Sequence, residues 1–431
     1  MSTQAASVGV SKVPGRERRP ALAGAWVVSL AMLGSGSLIY AFHVLAARSL
    51  GPSAYGHIAV LWAAMFLVVI VLFRPLEQTT SRALADRLAR GEDGTTVVRS
   101  IGTLAAGVVL VLSACGLLLI GPLADLLFEG NRILAYLLLA GIAGYAVAYV
   151  SRGVLVGVRW FRGYGFGLMA DAVARLAIAV PLFFAASLNL AAAAVTVAGV
   201  AGALAPFAFG RTRVRQALRG KRAPRFRRRA ALTFAAPASA IAAADQLLVN
   251  GGPLLVVFGG GSAKTAGLVF AATMLVRVPV FVFQGLASSL LPNLARLNVV
   301  EDAAAFRRAV MQTALILLAA GSLIVGFAAI AGPESMELLY GGDFAVGRGQ
   351  LVLLGAGVAF YLAATTFSQA LLALERAGSA ACAWVAAAAL FTAIYFVMPG
   401  TELTRVSVGF AVAMLLDLAV LAWLLLRRTR P

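Results

Sequence analysis

A few ionisable and amide side chains lie inside long apolar stretches of this chain: Asp171 and Arg175, then Asp245 with Gln246 and Asn250, then Arg277, then Asp417. A charged group at the centre of a membrane span costs ~2.5–3.5 kcal/mol on insertion scales, so it faces a bundle interior or a wet cavity rather than lipid. Asp171 and Arg175 are spaced i, i+4 with the acid first, which puts both on one helix face. Two readings are open for them: a structural ion pair, or a loosely held pair in a cavity where Arg175 exchanges its partner for a phosphate. Arg277 has no partner within its own stretch, and Asp245 on the preceding one is its nearest candidate. Gln246 and Asn250 extend a polar patch around Asp245, which favours a water-accessible surface. Asp417 is a lone acid, read either as a proton- or ion-coupling group, together with Asp245, or as an interhelical hydrogen-bonding group.

Arg74, Glu77, Arg82 and Arg152 stand near the ends of apolar runs. They are either topology anchors or the floor of a cationic cavity, in which guanidinium groups bind phosphate through paired hydrogen bonds. His43 and His57 read as structural groups near the opposite surface. There is no G-x-x-x-x-G-K-[ST] loop, no H-E-x-x-H and no paired-cysteine motif, so neither P-loop hydrolysis nor a metal or cofactor centre is expected. Cys115 and Cys382 both fall inside apolar runs and imply no disulfide framework. The chain does not read as an enzyme.

The elements that position these groups follow from composition. With 61% hydrophobic and 12% charged residues and a mean hydropathy of +0.92, the chain has too little polar surface for a soluble globule. Twelve spans fit, at about 21–46, 54–74, 100–121, 133–152, 163–186, 190–209, 231–257, 266–290, 309–331, 350–373, 378–398 and 405–426, each near the ~20 residues that cross a bilayer. Gly and Ala are abundant in them, as in closely packed membrane helices.

The formal charge of +19 is not a nucleic-acid footprint. When the N-terminus is placed inside, only Arg48, Arg132, Lys264, Arg348 and Arg405 fall in outer loops, and nearly all other Lys and Arg face the cytoplasm. The expected location is a bacterial cytoplasmic (inner) membrane, with multiple passes and both termini cytoplasmic. The segment Arg211–Arg229 holds ten Lys/Arg and lies at the midpoint. Five units follow: a basic N-terminal tail (1–20), an N-lobe of spans one to six (21–210), a basic linker (211–229), a C-lobe of spans seven to twelve (230–426) and a short tail (427–431).

The halves repeat each other. Gly121-Pro122 leading to Leu126-Leu127-Phe128-Glu129-Gly130-Asn131 returns as Gly332-Pro333 leading to Leu338-Leu339-Tyr340-Gly341-Gly342-Asp343, and Leu155 falls opposite Leu371. Six spans per half is an even number, so the repeat is parallel with its axis along the membrane normal. The fold class is an all-α integral membrane protein of about 12 transmembrane helices in two parallel six-helix lobes.

Several motifs carry a family resemblance. Arg48-Ser49-Leu50-Gly51-Pro52-Ser53-Ala54-Tyr55-Gly56 resembles the R-x-L-G-P-x-x-Y-G that joins the first two spans of polysaccharide-biosynthesis flippases, the Wzx-like branch of the MATE/MOP exporter superfamily. Arg152-Gly153-Val154-Leu155-Val156-Gly157 with Trp160-Phe161 is similar to the RG-x-L-x-G…F after span four, and Asp245 with Leu247-Leu248 to the D-x-L-L of span seven. Ala266-Gly267 and Leu291-Pro292 bracket span eight in the same style. The resemblance implies two lobes around a central cavity that alternates between inward-open and outward-open states. The implied substrate is a polyprenyl-pyrophosphate-linked oligosaccharide moved to the outer leaflet, with Arg175, Arg277, Arg74 and Arg152 on the pyrophosphate. The implied partners are that lipid-linked oligosaccharide, membrane lipids, and glycosyltransferases or a polysaccharide polymerase; nucleic acid is not among them. Two other readings compete: a MATE-like or major-facilitator small-molecule antiporter, and a non-transporting membrane scaffold for glycan assembly. A cavity for organic cations wants an excess of acids, whereas here Arg175 and Arg277 balance them.

Overall fold

A 72-residue helix, α1 (Arg18–Ala89), opens the computed structural model, which describes residues 18–221, 226, 228–277 and 303–427. It is two crossings in one element, because Gly51 adopts φ 72°, ψ 171° and Pro52 follows it. That conformation is open to glycine and costly for other residues. The expected spans 21–46 and 54–74 are therefore the two arms of α1, and the second arm runs on for four turns past its expected end.

The remaining helices are α2 (Thr95–Leu118), α3 (Ile120–Phe128), α4 (Arg132–Gly157), α5 (Phe161–Ala179), α6 (Leu188–Ala217), α7 (Arg228–Asn250), α8 (Gly252–Phe258), α9 (263–277), α10 (Ala303–Tyr340), α11 (Arg348–Ala373), α12 (Ala377–Val397) and α13 (Glu402–Leu426). Nine described helices are long and apolar enough to cross a membrane, with α1 counted once, and α7 with α8 makes a tenth when that bent pair is one span. Among the described residues the only β-type pairing is the isolated bridge between Glu92 and Lys221. It ties the middle of the basic linker to the α1–α2 loop, with the Asp93 amide donating to the Lys221 carbonyl at 2.8 Å.

Three expectations change. The stretch 231–257 is not one straight span: α7 and α8 meet at a 74° bend. Pro253 near the start of α8 has no N–H to continue the ladder, and Gly251 and Gly252 precede it. The stretch 163–186 is helical only to Ala179, after which Pro181 turns the chain through a 3₁₀ segment at Val180–Phe183. The two copies of the repeat also differ locally. The first forms the separate helix α3, whereas the second is the last turns of α10, yet Phe128 and Tyr340 are buried at matching positions. The tail 1–17, residues 278–302 with Leu291-Pro292, part of the linker and the end of the C-terminal tail lie outside the described residues.

Helix packing falls into two groups. α1 packs on α4 and α5, with α6 against α4 and α5 and α2 along α4; α10 packs on α11, α11 on α13, α13 on α12 and α12 on α7, and α7 also packs on α1, joining the two groups. The groups touch tightly at the end of the bundle away from the linker. A Cβ on Gly56 would overlap the Ala263 carbonyl, and one on Gly267 would overlap the Pro52 carbonyl, so the α1 elbow and α9 approach backbone to backbone. Arg48 donates to the Leu338 carbonyl (2.7 Å), the Ala263 amide to Glu129 Oε1 (3.4 Å), and Tyr55 packs edge-on against Phe344 and at a tilt against Phe270.

Candidate functional site

In the first group, α4 presents Tyr145, Tyr149 and Arg152 at one- and two-turn spacings, and α5 presents Asp171 and Arg175 opposite them. Arg175 donates to Asp171 Oδ1 (2.6 Å) and to the Tyr145 hydroxyl (2.5 Å), and that hydroxyl donates to Asp171 Oδ1 (3.2 Å). Arg152 donates to the other carboxylate oxygen, Asp171 Oδ2, at 2.9 Å. One acid thus serves two arginines. The Arg175 guanidinium lies 5.0 Å from the Trp62 ring centroid and that of Arg152 5.1 Å from Tyr149, so aromatic faces supply part of the desolvated cations' environment. Arg175 is only 1% exposed and ion-paired, with its Nε and Nη1 unpartnered among the described residues. Arg152 is more accessible, its side chain 12% exposed, although its Nε is buried and unpartnered among the described residues.

Arg74, on the second arm of α1, differs from both. It is exposed and makes no hydrogen bond or ion pair among the described residues. Its electrostatic neighbours are Tyr149 and Glu77 in its own helix group and Asp245 and Tyr361 in the other. An accessible guanidinium with charged neighbours on both sides lies in the space between the two groups.

The second group contributes a hydrogen-bonded chain. Tyr361 on α11 donates to Asp245 Oδ1 (2.8 Å), Gln246 to Asp245 Oδ2 (3.1 Å), and Asn250 to Gln246 Oε1 (2.7 Å). Arg277 on α9 ends the chain, donating to Asn250 Oδ1 and to the Val249 carbonyl, each at 3.1 Å. The expected direct pairing of Arg277 with Asp245 is therefore not what forms. The α7–α8 break frees carbonyls at the end of α7, and a cation at a helix C-terminus is a favourable partner for them. The guanidinium is taken up by the broken helix, and Asp245 by Tyr361.

Asp417 stands apart. It is 3% exposed on α13, and both carboxylate oxygens lack a hydrogen-bond partner among the described residues. His43 is fully buried among the helices, hydrogen-bonded to the Tyr55 hydroxyl (3.2 Å) and packed against Trp62 and Phe270. His57 instead lies 3.6 Å from Glu129. No group of three metal-ligating side chains occurs among the described residues.

Residue spacing did not single out Tyr145, Tyr149, Tyr361 or Trp62, which complete these networks. A signal existed for the first two. Tyr145, Tyr149 and Arg152 follow i, i+4, i+7, a polar-tipped stripe in a helix built mostly of Ala, Val, Leu, Ile and Gly.

No protein-family model matches the chain. Among solved structures, an inward-facing conformation of a multidrug resistance MATE family transporter of the MOP superfamily superposes with a TM-score of 0.73 at 15% identity, covering 93% of this chain and 98% of that one. An outward-facing conformation of such a transporter gives 0.68 at 16% identity, with 94% and 95% covered. A MOP superfamily transporter from Pyrococcus furiosus, described as having a binding pocket of reversed polarity that suggests a different function, gives 0.66 at 15%, with 95% and 96% covered. Among curated proteins, the uncharacterized protein Rv1510 of Mycobacterium tuberculosis is 30% identical over 359 residues, 79% of this chain and 77% of that protein. The uncharacterized protein Mb3654 of Mycobacterium bovis is 28% identical over 376 residues, 83% of each. The chain therefore belongs to the family of the mycobacterial protein Rv1510 and has the multispanning fold of the MATE/MOP transporters.

Proposed function

We propose that this chain is a flippase of a bacterial cytoplasmic membrane, with both termini inside, that moves a polyprenyl-pyrophosphate-linked oligosaccharide from the cytoplasmic to the outer leaflet by alternating access. The observation that carries the reading is Arg74. It is an accessible guanidinium with no bonded partner among the described residues, in a neighbourhood where Arg74, Arg152, Arg175 and Arg277 stand against Glu77, Asp171 and Asp245. The surplus is cationic, which suits a pyrophosphate.

The roles divide by accessibility. Arg74 and Arg152 engage the pyrophosphate. Arg175 and Asp171 hold Arg152 and Tyr145 in place, and Arg277, through Asn250 and Gln246, holds Asp245. Asp245 and Asp417 are the acids for coupling to an ion gradient, Asp417 because neither carboxylate oxygen has a hydrogen-bond partner among the described residues. The reaction is transport without covalent chemistry, and the partners are the lipid-linked oligosaccharide, the surrounding lipids and the glycosyltransferases or polymerase that make and consume it. Tight contact at the Gly56–Gly267 end suits a state open toward the basic linker, as does the higher TM-score with an inward-facing transporter.

A second reading, a small-molecule antiporter, is favoured by the multidrug transporters among the structural neighbours and by Asp245, a partly exposed acid. The two separate in a reconstituted system. Vesicles holding the purified chain are loaded with a fluorescent pyrophosphate-linked oligosaccharide or with an organic cation such as ethidium. Movement of the first that is weakened by Arg74→Ala supports the flippase; movement of ethidium alone, weakened by Asp245→Asn, supports the antiporter.

A further inference from the structure

Helix α5 stops at Ala179, and Pro181 diverts the chain through a 3₁₀ turn toward Ser187, which caps α6 by accepting from the Leu190 amide. The first arm of α1 runs beside α5, with Gly34 against Met169 and Gly165 against Ala31, and then continues past it. What remains is a groove of about 680 Å³ between residues 41–49 of α1 and residues 182–186. Its walls are Ala41, Val44, Leu45 and Leu182, with Phe184, 88% exposed, at the rim. Its polar residues are Arg48 and Ser49, side by side at the Gly51 end.

We propose that this groove binds one anionic phospholipid of the surrounding bilayer, with the phosphate on Arg48 and Ser49 and an acyl chain along Val44 and Leu182. The volume falls within the ~300–1,000 Å³ of ordinary ligand sites. The medium that meets an apolar groove on a membrane bundle is lipid chain, and the charge at its end selects an anionic head. Arg48 is exposed and uses one nitrogen on the Leu338 carbonyl, leaving other N–H groups for a phosphate. The same guanidinium therefore joins the groove to α10. A bound phosphate and the Leu338 carbonyl share it, so the lipid acts on the contact that holds the α1 elbow against α10. This site lies away from Arg74 and Asp245 and does not depend on the identity of the transported substrate.

The test uses the full chain purified in detergent, with native mass spectrometry following the tightest-bound phosphatidylglycerol. Arg48→Gln is expected to weaken that binding about tenfold, the scale of one lost charge-assisted contact. Ala185→Trp, which places an indole at the exposed rim, is expected to do the same, with unfolding temperatures of both variants within a few degrees of wild type. Glycerol phosphate, the head group without chains, is expected not to displace the lipid. Equal binding by wild type and both variants overturns the site. Displacement by glycerol phosphate overturns the lipid assignment in favour of a simple anion site, and loss in Arg48→Gln alone overturns the groove as the chain's location.

Discussion

Asp171 and Arg175, one turn apart on α5, form a 2.6 Å ion pair whose arginine is 1% exposed. The acid is shared with Arg152 at 2.9 Å, so removing it strands two cations, one of them buried. Breaking a buried pair from one side costs about 3–5 kcal/mol, whereas replacing both partners by apolar groups is close to neutral. Asp171→Ala is therefore expected to lower the unfolding temperature in detergent far more than the double variant Asp171→Leu/Arg175→Met. Equal losses would show that Arg175 finds another partner.

Arg277 caps the broken end of α7 through the Val249 carbonyl and Asn250. Arg277→Ala leaves that carbonyl and the Asn250 amide oxygen without their donor, at a cost of about 1–3 kcal/mol. Arg277→Lys, which retains a donor and the charge, is expected to recover at least half of the loss in a thermal-shift measurement. A full loss in the lysine variant would mean that the planar fork itself is needed.

Asp417 is a buried carboxylate without a partner among the described residues, and such a group costs about 1–3 kcal/mol. Asp417→Leu is expected to raise the unfolding temperature while removing the dependence of transport on an imposed proton or sodium gradient. Stability gained at the expense of function is the usual mark of a strained functional group. An unchanged gradient dependence would remove Asp417 from the coupling role, and a lowered unfolding temperature would mean the acid has a stabilising partner.

Gly56 and Gly267 let the α1 elbow and α9 approach backbone to backbone. Gly56→Val cannot maintain that contact, so the end of the bundle near Tyr340 is expected to open. With Cys115 and Cys382 replaced, a Tyr340→Cys reporter, at a position 1% exposed, should react slowly with a membrane-impermeant maleimide in the parent and several-fold faster beside Gly56→Val. Equal labelling would mean the contact is not what closes that end.

What could be read from residue order follows from which forces are local. Apolar length and the placement of Lys and Arg gave the crossings and the basic midpoint, because hydrocarbon thickness and charge act along single segments. The break at Asn250-Gly251-Gly252-Pro253 is written in its punctuation, but the apolar run continues across it and hydropathy alone passed over it. The Asp171–Arg175 pair is local and was visible at i, i+4. The second claim on Asp171, by Arg152 on another helix, was not. Neither was the exchange by which Arg277 goes to Asn250 and Asp245 goes to Tyr361, since residues 116 apart meet only through packing. Position near the end of an apolar run leaves Arg74 open as an anchor or as part of a cationic cavity floor, and the run of the second arm of α1 on to Ala89 puts it well inside a helix.

In the proposed function Arg74, which lies between the two helix groups and has no bonded partner among the described residues, binds the phosphates of a lipid-linked oligosaccharide. The most direct measurement is the rate at which purified chain in proteoliposomes moves a fluorescent polyprenyl-pyrophosphate-linked oligosaccharide between leaflets, compared with Arg74→Ala. Because Arg74 is exposed and makes no bond among the described residues, the variant should keep its unfolding temperature while the rate falls by about tenfold or more, the loss expected from one charge-assisted phosphate contact. An Arg74→Ala rate equal to wild type, or a wild-type chain that leaves the substrate in its original leaflet, would contradict the account.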